Sequence, residues 1–175
     1  MKKWYILIGV AVFILIPIIW FFVVFVFDKN VNETFEDIIV AHKDDPRATF
    51  PDTIARGGFV GTEEYFGGGA VRLIKFGDYY YLRFENDFKV FRSPDSYVYL
   101  GSDDYYSEES RVAELKGNAG AQNYLIPAEI SPLEYNRVWI WSKSLETVLA
   151  SAPLESTVIL PAHDVKKSKL EENSG

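Results

Sequence analysis

The chain has 175 residues, a formal net charge of −7, 16% aromatic residues, two histidines and no cysteine. That length favours one domain. The missing cysteine excludes disulfides, thiolate metal sites and a cysteine nucleophile, and the acidic balance argues against a nucleic-acid binder, which needs a basic face.

A mean hydropathy of −0.03 conceals an uneven distribution. Trp4 to Phe27 runs 24 residues without a charge. About 20 apolar residues cross a hydrocarbon core of roughly 30 Å, so this run spans it with some tilt. Lys2 and Lys3 precede it; Asp28, Lys29, Glu33, Glu36 and Asp37 follow. The excess of positive charge on the near side predicts a cytoplasmic N-terminus and an extracytoplasmic remainder. Trp4, Tyr5 and Trp20 suit interfacial depths, Trp20 sitting rather deep, and Pro17 is tolerated in a membrane helix. A cleaved signal peptide is the rival reading. Its apolar stretch is about 7–15 residues, closed by small residues, whereas this run ends in Phe21-Phe22-Val23-Val24-Phe25-Val26-Phe27. The expectation is one uncleaved transmembrane helix (residues 1–27), attached to a cell membrane through residues 4–27, and an outer portion of net charge −9.

Residues 28–56 read as a juxtamembrane segment with a short helix capped by Thr34 and ending at Lys43. Asp45-Pro46 and Phe50-Pro51 break it. Asn32-Glu33-Thr34 is a formal glycosylation acceptor that reads better as the lead into that helix. Strands dominate residues 57–156. Ala70–Phe76 and Tyr79–Phe84 flank a Gly77-Asp78 turn as a hairpin. Tyr80, Leu82 and Phe84 share one face, and Tyr79, Tyr81 and Arg83 the other. Tyr97–Leu100 is a strand, residues 101–110 an acidic loop, Val112–Leu115 a short strand, Gly117–Gly120 a turn, and Tyr124–Ile126 extended. Arg137–Ser142 alternates, with Val138, Ile140 and Ser142 on one face and Trp139 and Trp141 on the other. Beyond a tight turn at Lys143-Ser144, Leu145–Leu149 continues as a strand. Short strands punctuated by Gly, Pro, Asn and Asp give an all-β class, a sandwich or barrel. Residues 157–175 read as a polar, disordered tail.

Few constellations carry chemistry. His42 and His163 lie outside the β-domain without metal-ligand spacing, which disfavours a hydrolase triad and a histidine metal site. Gly67-Gly68-Gly69 lacks the Lys and Ser/Thr of a P-loop and reads as a flexible turn. Asp103, Asp104, Glu108 and Glu109 lack EF-hand spacing and read as a solvated loop. Tyr79, Tyr80, Tyr81, Tyr97, Tyr99, Tyr105 and Tyr106 are either core and sheet cover or a stacking platform for a sugar or peptide.

Several stretches resemble bacterial membrane-anchored members of the DM-thirteen family, also called the electron-transfer DM-thirteen domain. Leu115-Lys116-Gly117-Asn118-Ala119-Gly120-Ala121-Gln122-Asn123-Tyr124-Leu125-Ile126-Pro127 resembles the family's Leu-Lys-Gly-Asn-x-Gly-x-Gln-Asn-Tyr-x-Ile-Pro. Leu82 to Phe88 resembles its Leu-Arg-Leu-x-x-Phe element, and Ser93 to Leu100 its Gly-Pro-Asp-Leu-x-Val-Tyr-Leu. Tyr135 to Trp141 resembles the strand leading to the family's signature cysteine, and Ala152-Pro153-Leu154 the end of the domain. With the Asp28–Glu33 lead, the resemblance covers roughly residues 28–154.

The resemblance implies a β-sandwich over residues 57–156 and a redox or electron-transfer role resting chiefly on the cysteine. Here Ser142 stands at that cysteine's position and Ser93 at the glycine before Pro-Asp. The histidine before the first Gly-rich strand is missing; Glu64, Tyr65 and Phe66 occupy its neighbourhood. A serine hydroxyl has no redox couple and is a poor soft-metal ligand. If buried, Ser142 needs an internal hydrogen-bond partner. The expectation is therefore a non-catalytic binding or interaction module of the cell envelope, without metal or cofactor, its partners being the membrane and an unidentified envelope protein or ligand. Its candidate residues are Pro94, Asp95, Gly117, Asn118, Gly120, Gln122, Asn123, Tyr124, Trp139, Trp141 and Ser142. The alternative is an electron-transfer protein with an external cofactor such as haem, whose axial ligand falls to His42 or His163.

Overall fold

A computed structural model describes residues 2–25, 28–48, 50–103 and 105–157. Helix α1 (Lys2–Phe25) has 24 residues and contains Pro17, which at 1.5 Å per residue makes it about 36 Å long. Its side chains are described at Trp4 and at residues 8–20, where they are exposed. That described stretch is shorter than a bilayer requires, and among the described residues no helix is long and apolar enough to cross a membrane. Helix α2 (Glu36–Ala41) follows a connecting segment.

The rest is all-β, in three antiparallel sheets. The strands are β1 (Asp52–Gly58), β2 (Val60–Gly61), β3 (Gly67–Gly68), β4 (Ala70–Phe76), β5 (Tyr79–Phe84), β6 (Lys89–Val90), β7 (Ser96–Gly101), β8 (Tyr106–Glu114), β9 (Gln122–Leu125), β10 (Arg137–Ser142), β11 (Thr147–Pro153) and β12 (Glu155–Ser156). One five-stranded sheet has the order β12-β1-β4-β5-β9, the other β2-β11-β10-β7-β8, and β3 pairs with β6. Val71, Leu73, Leu82 and Phe84 from the first sheet and Val98, Leu100, Val138, Ile140 and Leu149 from the second form one buried cluster. Two layers thus enclose one core, as the short alternating strands lead one to expect.

The hairpin forms with Val71 opposite Phe84 and Phe76 opposite Tyr79. Leu82 and Phe84 enter the shared core, with Tyr80 packed against it. Tyr81 joins Ile38, Ile74 and Phe76 in a second cluster on the sheet's outer face. That face is buried because Ile38 of α2 lies over it, so β5 is covered on both sides.

Four local expectations are corrected. Most of the acidic stretch is strand: β8 starts at Tyr106 and carries the exposed Glu108 and Glu109 at the sheet's edge, where charge protects an unpaired edge from foreign strands. The residue preceding α2 is Phe35, with no side-chain cap. Thr34 instead donates its amide to Asp37 Oδ2 at 2.7 Å, and the helix ends at Ala41 rather than Lys43. Strand β11 begins at Thr147, because the turn after β10 extends to Glu146, whose φ is 51°. Within the glycine run Gly67 is tightly packed, since a Cβ there would lie 2.6 Å from Ala150 Cβ, whereas Gly68 has open space beside it. Gly67 is glycine for want of space rather than for flexibility. The predicted tail from residue 158 onward lies outside the described residues.

Candidate functional site

Strand β10 alternates as its sequence predicts. Val138, Ile140 and Ser142 are each 0% exposed. Ser142 Oγ lies 2.6 Å from Ser93 Oγ and accepts the Leu145 amide at 3.2 Å. The expected internal partner therefore exists: it is Ser93, at the position where the resemblance implies a glycine. Around this pair, Ser96 Oγ donates to Ser93 O at 3.0 Å. Ser144 Oγ bonds Asp95 Oδ2 at 3.1 Å and Pro94 O at 3.2 Å. The Lys143 amide donates to Asp95 O at 2.9 Å. Asp95 takes a left-handed φ of 50°, a conformation that Asp tolerates better than most residues. The loop before β7 is thus laced to the turn after β10 and seals Ser142.

Trp139 and Trp141 point to the opposite face of β10, away from Ser142. Tyr106 lies 6.1 Å from Trp139 and 5.5 Å from Trp141 between ring centroids, and Tyr99 lies 4.7 Å from Tyr106. The Tyr99 hydroxyl donates to Glu108; burial, then the Glu108 charge, push its pKa up to about 12. The tyrosines therefore divide between roles. Tyr81 and Tyr99 are buried, and Tyr105 is exposed.

Gly117 to Tyr124 performs two tasks. The first is internal. Gln122 Oε1 accepts the Gly117 amide at 3.1 Å while Nε2 donates to Gly117 O at 2.9 Å. The Tyr124 hydroxyl donates to Gln122 Oε1 and accepts the Lys116 amide. Burial raises the Tyr124 pKa, keeping that donor protonated. The second task is to hold residues 28–34, which cross this turn as a strap. The Lys29 amide donates to Asn118 Oδ1 at 2.7 Å, and Asn118 Nδ2 donates to Asp28 Oδ1 at 2.7 Å. Asn30 bridges Ala119 in parallel; the Val31 and Glu33 amides donate to Ala119 O and Ala121 O at 2.9 and 3.0 Å. Glu33 receives Lys116 Nζ at 2.7 Å and the Asn123 amide at 2.6 Å, and Asn123 Nδ2 donates to Thr34 O at 2.8 Å. A Cβ on Gly120 would strike Asn30 and Val31, and its φ is 85°. Glycine is required there twice over.

The strap, the 91–96 loop and the 115–118 turn border a cleft of about 170 Å³ lined by Lys29, Arg92, Pro94, Asp95, Glu114 and Asn118 among others. Of the predicted set, Pro94, Asp95, Gly117 and Asn118 meet here, with Ser142 reached through Ser93. Asn123 borders a second cavity of about 300 Å³ beside Glu33, Ile38 and Tyr81. Gln122 and Tyr124 are core residues, Gly120 lies under the strap, and the two tryptophans stand apart.

Sequence reasoning missed Lys29, Arg92 and Glu33. The only signal for Lys29 and Glu33 was the Asp28–Glu33 resemblance, which did not reveal what the segment touches, and Arg92 carried none. His42 Nε2 lies 2.5 Å from the Tyr81 hydroxyl, and its ring stacks on Tyr79 at 3.9 Å, so Nε2 is engaged rather than open to an iron. His163 lies outside the described residues. Among the described residues, no group of three or more His, Asp or Glu is placed to hold a metal ion.

Two measurements check this geometry. Ser142→Ala and Ser93→Ala should each destabilise the domain by about 1 kcal/mol in urea titrations, because each leaves a polar partner unpaired. The double variant should cost less than their sum. The Asp28 carboxyl is held below the usual carboxylate range, first by its hydrogen bond with Lys89 and then by that with Asn118. A depressed carboxylate stabilises above its unfolded pKa, and that contribution fades as pH falls through the native value. Below pH about 4, exchange of the Val31 and Glu33 amides, corrected for intrinsic rate, should accelerate while the Leu82 and Phe84 amides stay protected. Asp28→Asn should diminish the acceleration.

No match to the chain is found among curated proteins or solved structures. The sequence model described as "Electron transfer DM13" matches residues 59–154, a region holding the 91–96 loop, the 117–124 motif and β10. The chain belongs to the electron transfer DM13 family.

Proposed function

We propose that the chain is a single-span membrane protein whose DM13 domain lies outside the cytoplasm and acts as a non-catalytic binding module. The observation that carries this reading is the Ser93–Ser142 contact of 2.6 Å. The position on which the family's electron-transfer role chiefly rests holds a fully buried hydroxyl bonded to a second hydroxyl, and neither exchanges electrons at accessible potentials. Beside it the cleft offers Lys29 and Arg92, Asp95 and Glu114, and the Asn118 amide, a mixed polar lining suited to a small polar ligand or a peptide segment. The anchoring half of the proposal rests on the charge-free run of residues 4–27 and on the 24-residue helix that it forms up to Phe25.

A second reading has one observation in its favour. Tyr99, Tyr106 and Trp141 form a series with centroid separations of 4.7 and 5.5 Å, which suits electron passage to an external cofactor.

Protein purified from its native membrane should be colourless and should give no reversible wave in voltammetry. A bound chromophore or a wave retained in Ser142→Ala but lost in Trp141→Phe would favour the second reading. A reporter enzyme that matures only outside the cytoplasm, fused after Gly175, should be active; activity confined to a cytoplasmic reporter would reverse the orientation.

A further inference from the structure

The strap constrains more than the turn it crosses. Helix α1 ends at Phe25, and Asp28 is already bonded to the domain through Asn118 and through Lys89 Nζ at 2.8 Å. Three peptide steps cover at most about 11 Å, and a headgroup layer is roughly 5–8 Å thick. If α1 crosses a bilayer, the surface around Asp28 can stand at most a few ångströms beyond the headgroups.

The side chains at that surface suit an interface. Lys89 Nζ lies 5.9 Å from the Phe66 ring centroid. Phe66 packs edge-on to Phe91 at 6.1 Å, and Phe91 packs on Tyr65 at 4.9 Å. Phe66 is 54% and Phe91 37% exposed. Aromatic rings of this kind favour the boundary between acyl chains and headgroups. Lys29 and Arg92 adjoin Asp28 and Phe91 in the chain; the Arg92 charge acts on Asp28, and the side chains of both line the neighbouring cleft. Glu63 and Glu64 are exposed nearby, so the rings rather than net charge supply most of the attraction.

We infer that this end of the domain rests on the bilayer surface, with Phe66 and Phe91 in the interfacial layer. The inference rests on the anchor reading and adds an orientation to it. The opposite end of the sandwich, including Glu129 just after Ile126 pairs with Tyr80 at the start of β5, then faces away from the membrane.

The chain lacks cysteine, so single cysteines can be placed freely in the full-length protein. Nitroxide labels at Glu64→Cys, Glu129→Cys and Ile14→Cys, in nanodiscs of phosphatidylcholine and phosphatidylglycerol, report depth through collision with oxygen and with a nickel chelate. The label at position 64 should lose most of its chelate collision and lie near the phosphate plane, while that at 129 stays fully aqueous. Adding Phe66→Ser and Phe91→Ser should return position 64 to water, with circular dichroism verifying that the domain remains folded. An aqueous label at 64 with a lipid-embedded label at 14 overturns this inference alone. An aqueous label at 14 overturns the anchor reading and the inference with it. A label at 64 that is shielded from chelate without lipid-like oxygen collision indicates a protein partner on the patch, and also overturns the inference.

Discussion

Asn118 and Asn123 are the pair of amides on which the arrangement of this chain depends. Asn118, in the turn before β9, bonds the segment after α1 through both ends of its side chain, while Asn123, in β9, bonds that segment through Nδ2 and Arg83 through Oδ1. A buried or half-buried amide that loses a partner retains an unmet desolvation cost, so the strap and the turn stabilise one another. Arg83, 6% exposed, donates to Asn123 Oδ1 at 2.7 Å and pairs with Glu85, which ties the same network to β5 and hence to the hairpin at the centre of the first sheet. The Gly-Asn-x-Gly-x-Gln-Asn-Tyr motif therefore serves as an internal receptor. Its glycines admit the strap, its asparagines bind it, and its Gln122 and Tyr124 hold the receptor in shape.

Filling that receptor internally moves attention to the cleft beside it. Position 142 lies behind the 93–96 loop, and the cleft lies in front. In this chain the serine pair closes the space between them, and any ligand in the cleft meets Lys29, Arg92 and Asn118 rather than the buried hydroxyl. The aromatic series on the other face of β10 is separated from both by the strand itself. Two features of one six-residue strand, its buried serine and its half-buried tryptophans, thus belong to different surfaces because side chains alternate along it.

What the residues disclosed in advance follows the same logic. The hairpin, β7 and β10 were legible because period-2 alternation and turn residues are local signals, and Ser142's need for a partner followed from alternation alone. The partner itself was not legible, since 49 positions separate Ser93 from Ser142 and no local pattern encodes that contact. Strand β8 was hidden by its glutamates, which mark a charged edge strand as readily as a loop. The fixed role of Gly67 was hidden because lack of space leaves the same residue as a need for freedom. The strap escaped notice because its hydrogen bonds are to residues about 90 positions away.

The region matched by the family model is smaller than the cooperative unit. Residues 59–154 omit β1, β12, α2 and the strap. Strand β1 nonetheless pairs with β4 over most of its length, and Ile38 of α2 caps a buried cluster. A fragment cut at the family boundary would present β4 as a bare edge, leave Tyr81 and Phe76 open to water, and strand the two asparagines. Such exposed edges recruit other chains. Domain limits drawn by sequence similarity would yield a sticky remnant, and a well-behaved fragment begins at Asp28.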